Sequence, residues 1–213
     1  MSCIAPSLVL PSDQASLIGT IVEKRISAEY LAFTKRPAFF PAPPAIDFAD
    51  FTSGFGNNTI YIAYLVDKNP SLSPSQLLQL TDDGLKKIPD IVTADAPRSS
   101  EFYEFKPNSP SGLREGDRKV ANVHALFQGN RLPYTPGIKW NVDKRVQIFS
   151  GGLYGVQVDV YFHFFRIQPG LIVYDFCAEG RTRKLTNSEI VTIILAILIV
   201  LLSPIKIPIP VPA

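Results

Sequence analysis

The run Ile190 to Leu202, IVTIILAILIVLL, is thirteen residues long with only Thr192 polar, so any fold of this chain must keep it from water. As a helix it spans about 20 Å, short of the ~30 Å hydrocarbon layer of a bilayer. The tail that follows, SPIKIPIPVPA, alternates prolines in a way that excludes a regular helix and favours an extended or polyproline conformation. Arg181, Arg183 and Lys184 precede the run as the basic flank expected where a chain meets the cytoplasmic face of a membrane. Three placements compete: a core helix under a sheet, a helix buried against another subunit or a chaperone, and a membrane-seeking segment. The missing polar face favours a partner.

The chain has 213 residues, a net charge of +2 and 46% hydrophobic residues, which describes a globular chain with neither an acidic nor a basic tail. The organisation expected is an N-terminal helix and Pro-rich loop over 1–57, an α/β core over 58–185 belonging to the same domain, and a hydrophobic, Pro-rich segment over 186–213. The 19 prolines are about 9% of the chain against a usual ~5%, clustered at residues 37 to 44 and 204 to 212. Only Cys3 and Cys177 occur, so the chain is no disulfide scaffold, a four-cysteine zinc site is excluded, and a reducing compartment is the default. A mixed site would need Cys3, His124, His163 and Cys177 to converge without the short spacings of zinc modules, and is discounted. Residues Met1 to Pro11 carry no basic segment, and Pro6 breaks their apolar stretch. The expectation is synthesis in the cytoplasm without a secretory signal, with any export by a non-classical system or association with a membrane through the C-terminus.

Leu17, Ile18, Ile21, Val22, Ile26, Tyr30 and Phe33 recur at three and four, which predicts an amphipathic helix over 13–33. The prolines of residues 36–57 predict an extended loop. Thr59 to Val66, TIYIAYLV, reads as a buried strand, and Ser73 to Leu80 as a short helix with Pro74 at its first position. Two strands are predicted at Lys87 to Thr93 and Glu101 to Lys106, then a helix over 112–128. Val146 to Phe149, Val156 to Ile167 and Leu171 to Cys177 read as an antiparallel meander, broken at Gly151-Gly152 and Pro169-Gly170.

The stretch KKIPDIVT, a loop, then EFYEFKPNSPSG carries the chemistry. Glu104 and Lys106 are two apart on a strand and share a face about 7 Å apart. If the Asp90 strand pairs alongside, two carboxylates and an ammonium converge. Two carboxylates suit a hard divalent cation, with waters and phosphate oxygens filling its other positions. The lysine suits orienting or deprotonating an attacking water and offsetting charge on a phosphate.

Pro89-Asp90 and Glu104-Phe105-Lys106 resemble the motif of the PD-(D/E)xK nuclease superfamily, the restriction-endonuclease-like phosphodiesterases. The order helix, strand, Asp strand, Glu-x-Lys strand, helix and further strands is similar over roughly residues 13 to 180. The resemblance implies an α/β fold with a mixed sheet flanked by helices. It also implies Mg²⁺ or Mn²⁺ held by Asp90 and Glu104, a DNA or RNA substrate, and a further acid from the N-terminal helix, for which Glu23 is the best match and Glu29 the reserve. YEFKPNSPSG is also similar to nuclease domains of bacterial polymorphic toxins and effectors. That setting implies a chaperone, secretion particle or immunity protein bound through residues 190–213.

Arg114, Arg118 and Lys119 follow the site and suit contact with nucleic-acid phosphates, though Glu115 and Asp117 among them equally suit a solvated helix face. His124 and His163 read as packing residues, and Trp140 as a loop residue packed on the core in preference to a stacking platform for a base. A reading from another class keeps the nuclease-like fold without activity, as an assembly protein held to a larger complex or a membrane by residues 190–213.

Overall fold

The computed structural model describes residues 1–35, 38–40, 58–81, 88–94, 100–153 and 155–202. In chain order they form β1 (Ser2–Ile4), a 3-10 turn (Pro6–Leu8), α1 (Ser12–Thr34), α2 (Asn58–Lys68), α3 (Pro74–Thr81), β2 (Ile91–Thr93) and β3 (Ser100–Pro107). Then come α4 (Pro110–Gly129), β4 (Tyr134–Pro136), β5 (Asp143–Leu153), β6 (Val156–Gln168), β7 (Leu171–Gly180) and α5 (Asn187–Leu202). The sheet runs β2-β3-β7-β6-β5, with β4 added on β3 and β1 on β7. β3 is parallel to β7 and β4, and the other pairs are antiparallel, which makes the sheet mixed.

Alternation along the strands divides the apolar residues between two layers. One face sends Tyr103, Phe105, Ile172, Tyr174, Phe176, Phe162 and Phe164 against α1 and α5. The other sends Phe102, Leu171 and Val173 against Val120, Val123 and Phe127 of α4. Trp140 is buried within the first layer, 5.0 Å from the Tyr30 ring and 6.0 Å from Tyr103, so it is a packing residue.

Helix α4 starts where its sequence dictates. Ser109 accepts a hydrogen bond from the Gly112 N–H at 3.1 Å, and Pro110 occupies the first helical position. A Cβ at Gly112 would stand 2.2 Å from the Pro107 carbonyl oxygen, so only glycine lets the first turn close on the end of β3. The meander turns at Gly170, φ +74°, as predicted, but its first reversal lies at Gly155, also φ +74°, while Gly151 and Gly152 continue β5.

Thr59 to Val66 is helical, not a strand. Tyr61 and Leu65 are buried one turn apart while Ala63, which would share their face on a strand, is exposed, the pattern of a helix. Packing on Phe39 and the α4 layer overrides the β-branched composition. The predicted strand from Lys87 shrinks to Ile91–Thr93, and Lys87 itself lies outside the described residues. Of the predicted loop, 36–37 and 41–57 lie outside them too. Phe39 pairs with Val92 through two backbone hydrogen bonds of 2.7 and 3.1 Å.

The apolar C-terminal run lies in the chain's own core. Ile190, Ile193, Ile194, Ile197 and Leu198 of α5 are buried against α1, β1 and β7. The preference for a partner therefore loses its ground over 190–198, and residues 203–213 lie outside the described ones. No helix among the described residues is long and apolar enough to cross a membrane. The basic flank is largely engaged: Arg181 donates to both oxygens of Asp159 at 2.6 Å, and Arg183 pairs with Glu189. Thr186 and Glu189 form a capping box, the Glu189 carboxylate accepting from the Thr186 N–H at 2.8 Å and the Thr186 hydroxyl from the Glu189 N–H at 3.3 Å.

The two cysteines, given no structural role by the sequence, are bonded to each other across 174 residues of chain, joining β1 to β7 at the register pair Cys3↔Cys177.

Ile194 has no exposed surface, so Ile194→Ala is expected to lower unfolding free energy by about 2–5 kcal/mol, while Ile199→Ala, at 53% exposure, changes it by less than about 0.5 kcal/mol. Urea denaturation of the full chain measures both, and equal effects would remove α5 from the core.

Candidate active site

The centre of the site is the edge of β3 that β2 leaves uncovered. Ile91 pairs with Tyr103, so continuing the antiparallel register sets Asp90 opposite Glu104 and Pro89 opposite Phe105. Proline has no N–H to extend the ladder, and the strand stops. The Phe105 N–H donates instead to Asp90 Oδ2 at 2.6 Å, which fixes this carboxylate beside Glu104. The sequence motif is thus a consequence of backbone pairing: Pro89 ends β2 and Asp90 takes over its hydrogen bond.

Glu104 and Lys106 project from β3 on the α4 side, where Gly116 lets the helix approach. A Cβ there would lie 2.6 Å from Leu171 Cδ1 and 3.2 Å from Lys106 Cγ. Lys106 Nζ is 3.1 Å from Glu104 Oε1 and 3.1 Å from Glu115 Oε1. Lys119, one turn beyond Glu115 on α4, places Nζ 2.8 Å from Glu104 Oε1 and 3.8 Å from Asp90 Oδ1. From the other layer α1 contributes Glu23, within electrostatic reach of Asp90, Glu104, Lys106 and Lys119.

Asp90, Glu104 and Glu23 therefore face two ammonium groups in a poorly solvated place, with the exposed Glu115 as a fourth carboxylate on Lys106. Glu104 is 1% exposed; its Oε1 faces both ammonium groups, while its buried Oε2 has no hydrogen-bond partner among the described residues. Burial first, then the Asp90 charge, push its carboxyl up to about 7, against the opposing pull of Lys119 and Lys106. Burial, then Asp90 and Glu104, hold Glu23 well above the usual carboxylate range. For Lys106 burial works downward, but the carboxylates of Glu104, Asp90 and Glu115 outweigh it and the net shift is upward, so the group is an ammonium. Lys119 is raised by the same balance, with burial opposed by Asp90 and Glu104.

The structure thus brings Asp90, Glu104, Lys106 and Glu23 together. Glu29, the reserve acid, is elsewhere, paired with Arg25 at 2.7 Å and with Lys144, because six residues carry it round to another side of α1. Arg114 and Arg118 are exposed on α4. Lys119 does not join them; it turns inward as the second cation of the acidic cluster. Its spacing of four from Glu115 was the sequence signal for one shared helix face.

A second set of candidate ligands lies apart from this one. Cys3, His163 and Cys177 place one ligand atom each within 4.8 Å of one another, so three of the four residues whose convergence was discounted do meet, and His124 is not among them. Pairing of β1, β6 and β7 makes this contact, which no local spacing encodes.

No protein-family model, no curated protein and no solved structure matches the chain.

Between about pH 4.5 and 7 the native state keeps a proton on Glu104 that the unfolded chain releases. The stability this group contributes is complete below the lower value and is lost as pH rises through the upper one. Urea midpoints of the metal-free protein, taken as wild type minus Glu104→Gln, are expected to fall across that window. A flat difference would mean that Glu104 is not held protonated by its surroundings.

Proposed function

We propose that the chain is a phosphodiesterase that cleaves DNA or RNA with Mg²⁺ or Mn²⁺, on a restriction-endonuclease-like core. One observation carries the reading: the buried Glu104 carboxyl, its Oε2 without a partner among the described residues, is gathered with Asp90 and Glu23, and their mutual repulsion and burial hold Glu104 and Glu23 above the usual carboxylate range despite two nearby ammonium groups. Hard oxygen donors clustered in this way fit a divalent cation of the Mg²⁺ type. Asp90 and Glu104 would hold it, with Glu23 completing the acidic set. The bound cation supplies charge neutralisation at the phosphate and acidifies water.

Lys106 remains protonated between Glu104 and Glu115, so its role is to donate: it orients the attacking water and stabilises charge gathering on the phosphate. General-base work does not suit an ammonium whose carboxylate neighbours favour the charged form. Lys119 holds Glu104 and Asp90 in place from the helix side, a positioning role. Arg114 and Arg118 lie exposed on the same helix and suit contact with flanking phosphates. An effector or toxin setting agrees with the YEFKPNSPSG resemblance. A chaperone, secretion particle or immunity protein would then use parts of 190–213 other than the core positions of α5.

Incubating plasmid DNA and mixed RNA with the full chain and Mg²⁺ or Mn²⁺ tests the proposal. Cleavage is expected to vanish with chelator and to drop at least about 100-fold in Lys106→Ala, with circular dichroism and urea midpoint showing a folded variant. Undiminished cleavage by folded Lys106→Ala, or none by wild type, would overturn it. In the same assay Arg114→Ala and Arg118→Ala are expected to weaken substrate binding and each to reduce the salt-dependence exponent by about 1, leaving turnover at saturation unchanged. An unchanged exponent in both variants would put the phosphate track elsewhere.

A further inference from the structure

We propose that Cys3, Cys177 and His163 form a Zn²⁺ site that becomes available when the bond between the two cysteines is reduced. The residues come from three strands and meet because of sheet register. Cys3 lies directly across from Cys177 on β1 and β7, and Tyr161 of β6 lies across from Cys177 on the other side. His163, two residues on from Tyr161, therefore sits on the same face as Cys177 and diagonal to it. Their three ligand atoms lie within 4.8 Å of one another. A tetrahedral zinc with bonds of about 2.3 Å to sulfur and 2.0–2.1 Å to nitrogen needs separations of roughly 3.5–3.8 Å, within reach of small side-chain rotations.

The imidazole is already oriented for ligation. His163 Nε2 is 2.8 Å from Asp143 Oδ1, and the ring stacks on Phe165 with centroids 4.7 Å apart. A carboxylate on one ring nitrogen fixes the ring and raises the basicity of the other, the usual support of a zinc-bound histidine. With Nε2 held by Asp143, Nδ1 is the nitrogen left to bind the cation, and water would take the fourth position. Cys3 is exposed and Cys177 fully buried, so the cation and the reductant both arrive from the Cys3 side.

The chemistry balances simply. A dithiol reductant gives two electrons and two protons to the Cys3–Cys177 bond, which breaks into two thiols while the dithiol closes to its own disulfide. Zn²⁺ then displaces both thiol protons and binds two thiolates and a neutral imidazole. A small-molecule disulfide reverses the sequence by thiol exchange: it takes the two electrons and leaves as two thiols, the Cys3–Cys177 bond re-forms, and the cation is released because a disulfide sulfur is no thiolate ligand. The donor set is soft to borderline, unlike the all-oxygen group at Glu104, so Mg²⁺ does not compete for it.

The test uses the full chain, reduced with a phosphine and freed of it without oxygen, with Co²⁺ as the probe and Zn²⁺ as its competitor. Reduced wild type is expected to bind one Co²⁺ with a thiolate-to-metal charge-transfer absorption that one equivalent of Zn²⁺ removes, and oxidised protein to show none. His163→Ala and Cys3→Ser are expected to lose at least tenfold in affinity. Asp143→Asn, which alters only the carboxylate behind the imidazole, is expected to lose 10–100-fold. Glu104→Gln is expected to bind normally, which keeps this result separate from the fate of the phosphodiesterase proposal. A bond that the reductant cannot open, two free thiols without charge transfer, or undiminished binding by His163→Ala would each overturn the site.

Discussion

A fully buried carboxylate on the strand that joins both layers is the constraint around which this molecule is arranged. β3 pairs with β2, β4 and β7, and its side chains feed the α1–α5 layer from one face and the α4 layer from the other. Hydrophobic residues alone would satisfy such a strand, yet Glu104 occupies its centre. Desolvating a carboxylate is costly unless cations or aligned donors compensate. Lys119 and Lys106 compensate in part, and burial together with the Asp90 charge still pushes Glu104 up to about 7. A carboxyl group in that position, with a second acid held opposite by a backbone hydrogen bond, is the arrangement that a bound cation of the proposed kind would complete.

The parts of this arrangement that repeat on a local period were legible. α1, α3 and α4 follow apolar spacings of three and four, β3 and the meander a spacing of two, and the Glu-x-Lys pair needs nothing beyond the strand period. Asp90 was found by motif, but its reason, a proline that ends one ladder and a carboxylate that takes over the next donor, appears only with the register. α2 was misread because TIYIAYLV has the composition of a strand, while the partner surface of Phe39 and α4 selects the helical spacing of Tyr61 and Leu65. Lys119 reads from the sequence as a phosphate contact alongside Arg114 and Arg118, but the helical angle between positions 118 and 119 turns it toward Glu104.

Apart from the approach of Glu23 to the acidic cluster, which the resemblance supplied, contacts between distant parts of the chain were not legible. β1 is three residues long and carries no recognisable strand pattern; its place is given by β7, and its cysteine meets a partner 174 positions away. The same long range governs the apolar C-terminal run. Its continuous hydrophobicity suggested a partner because a single helix face seemed insufficient to bury it. α1, β1 and β7 surround enough of α5 to bury positions 190, 193, 194, 197 and 198, and the capping box at Thr186 starts the helix at the point where it must turn back onto the sheet.

The two clusters of potential ligands lie on adjoining stretches of one sheet face. Along β7, Leu171 and Val173 stand beside Glu104 and Lys106, whereas Asp175 and Cys177 continue the same face beyond the end of that pairing. β1 takes over the edge of β7 where β3 leaves it, and brings sulfur in place of carboxylate. The apolar pair Leu171 and Val173, both without exposed surface, lies at the oxygen end. On the two proposals, the oxygen donors around Glu104 and the reduced sulfurs of Cys3 and Cys177 would sort cations by the prevailing donor type, with Asp175 on the strand between them. The exchange of β3 for β1 at the edge of β7 is therefore the structural step that separates them.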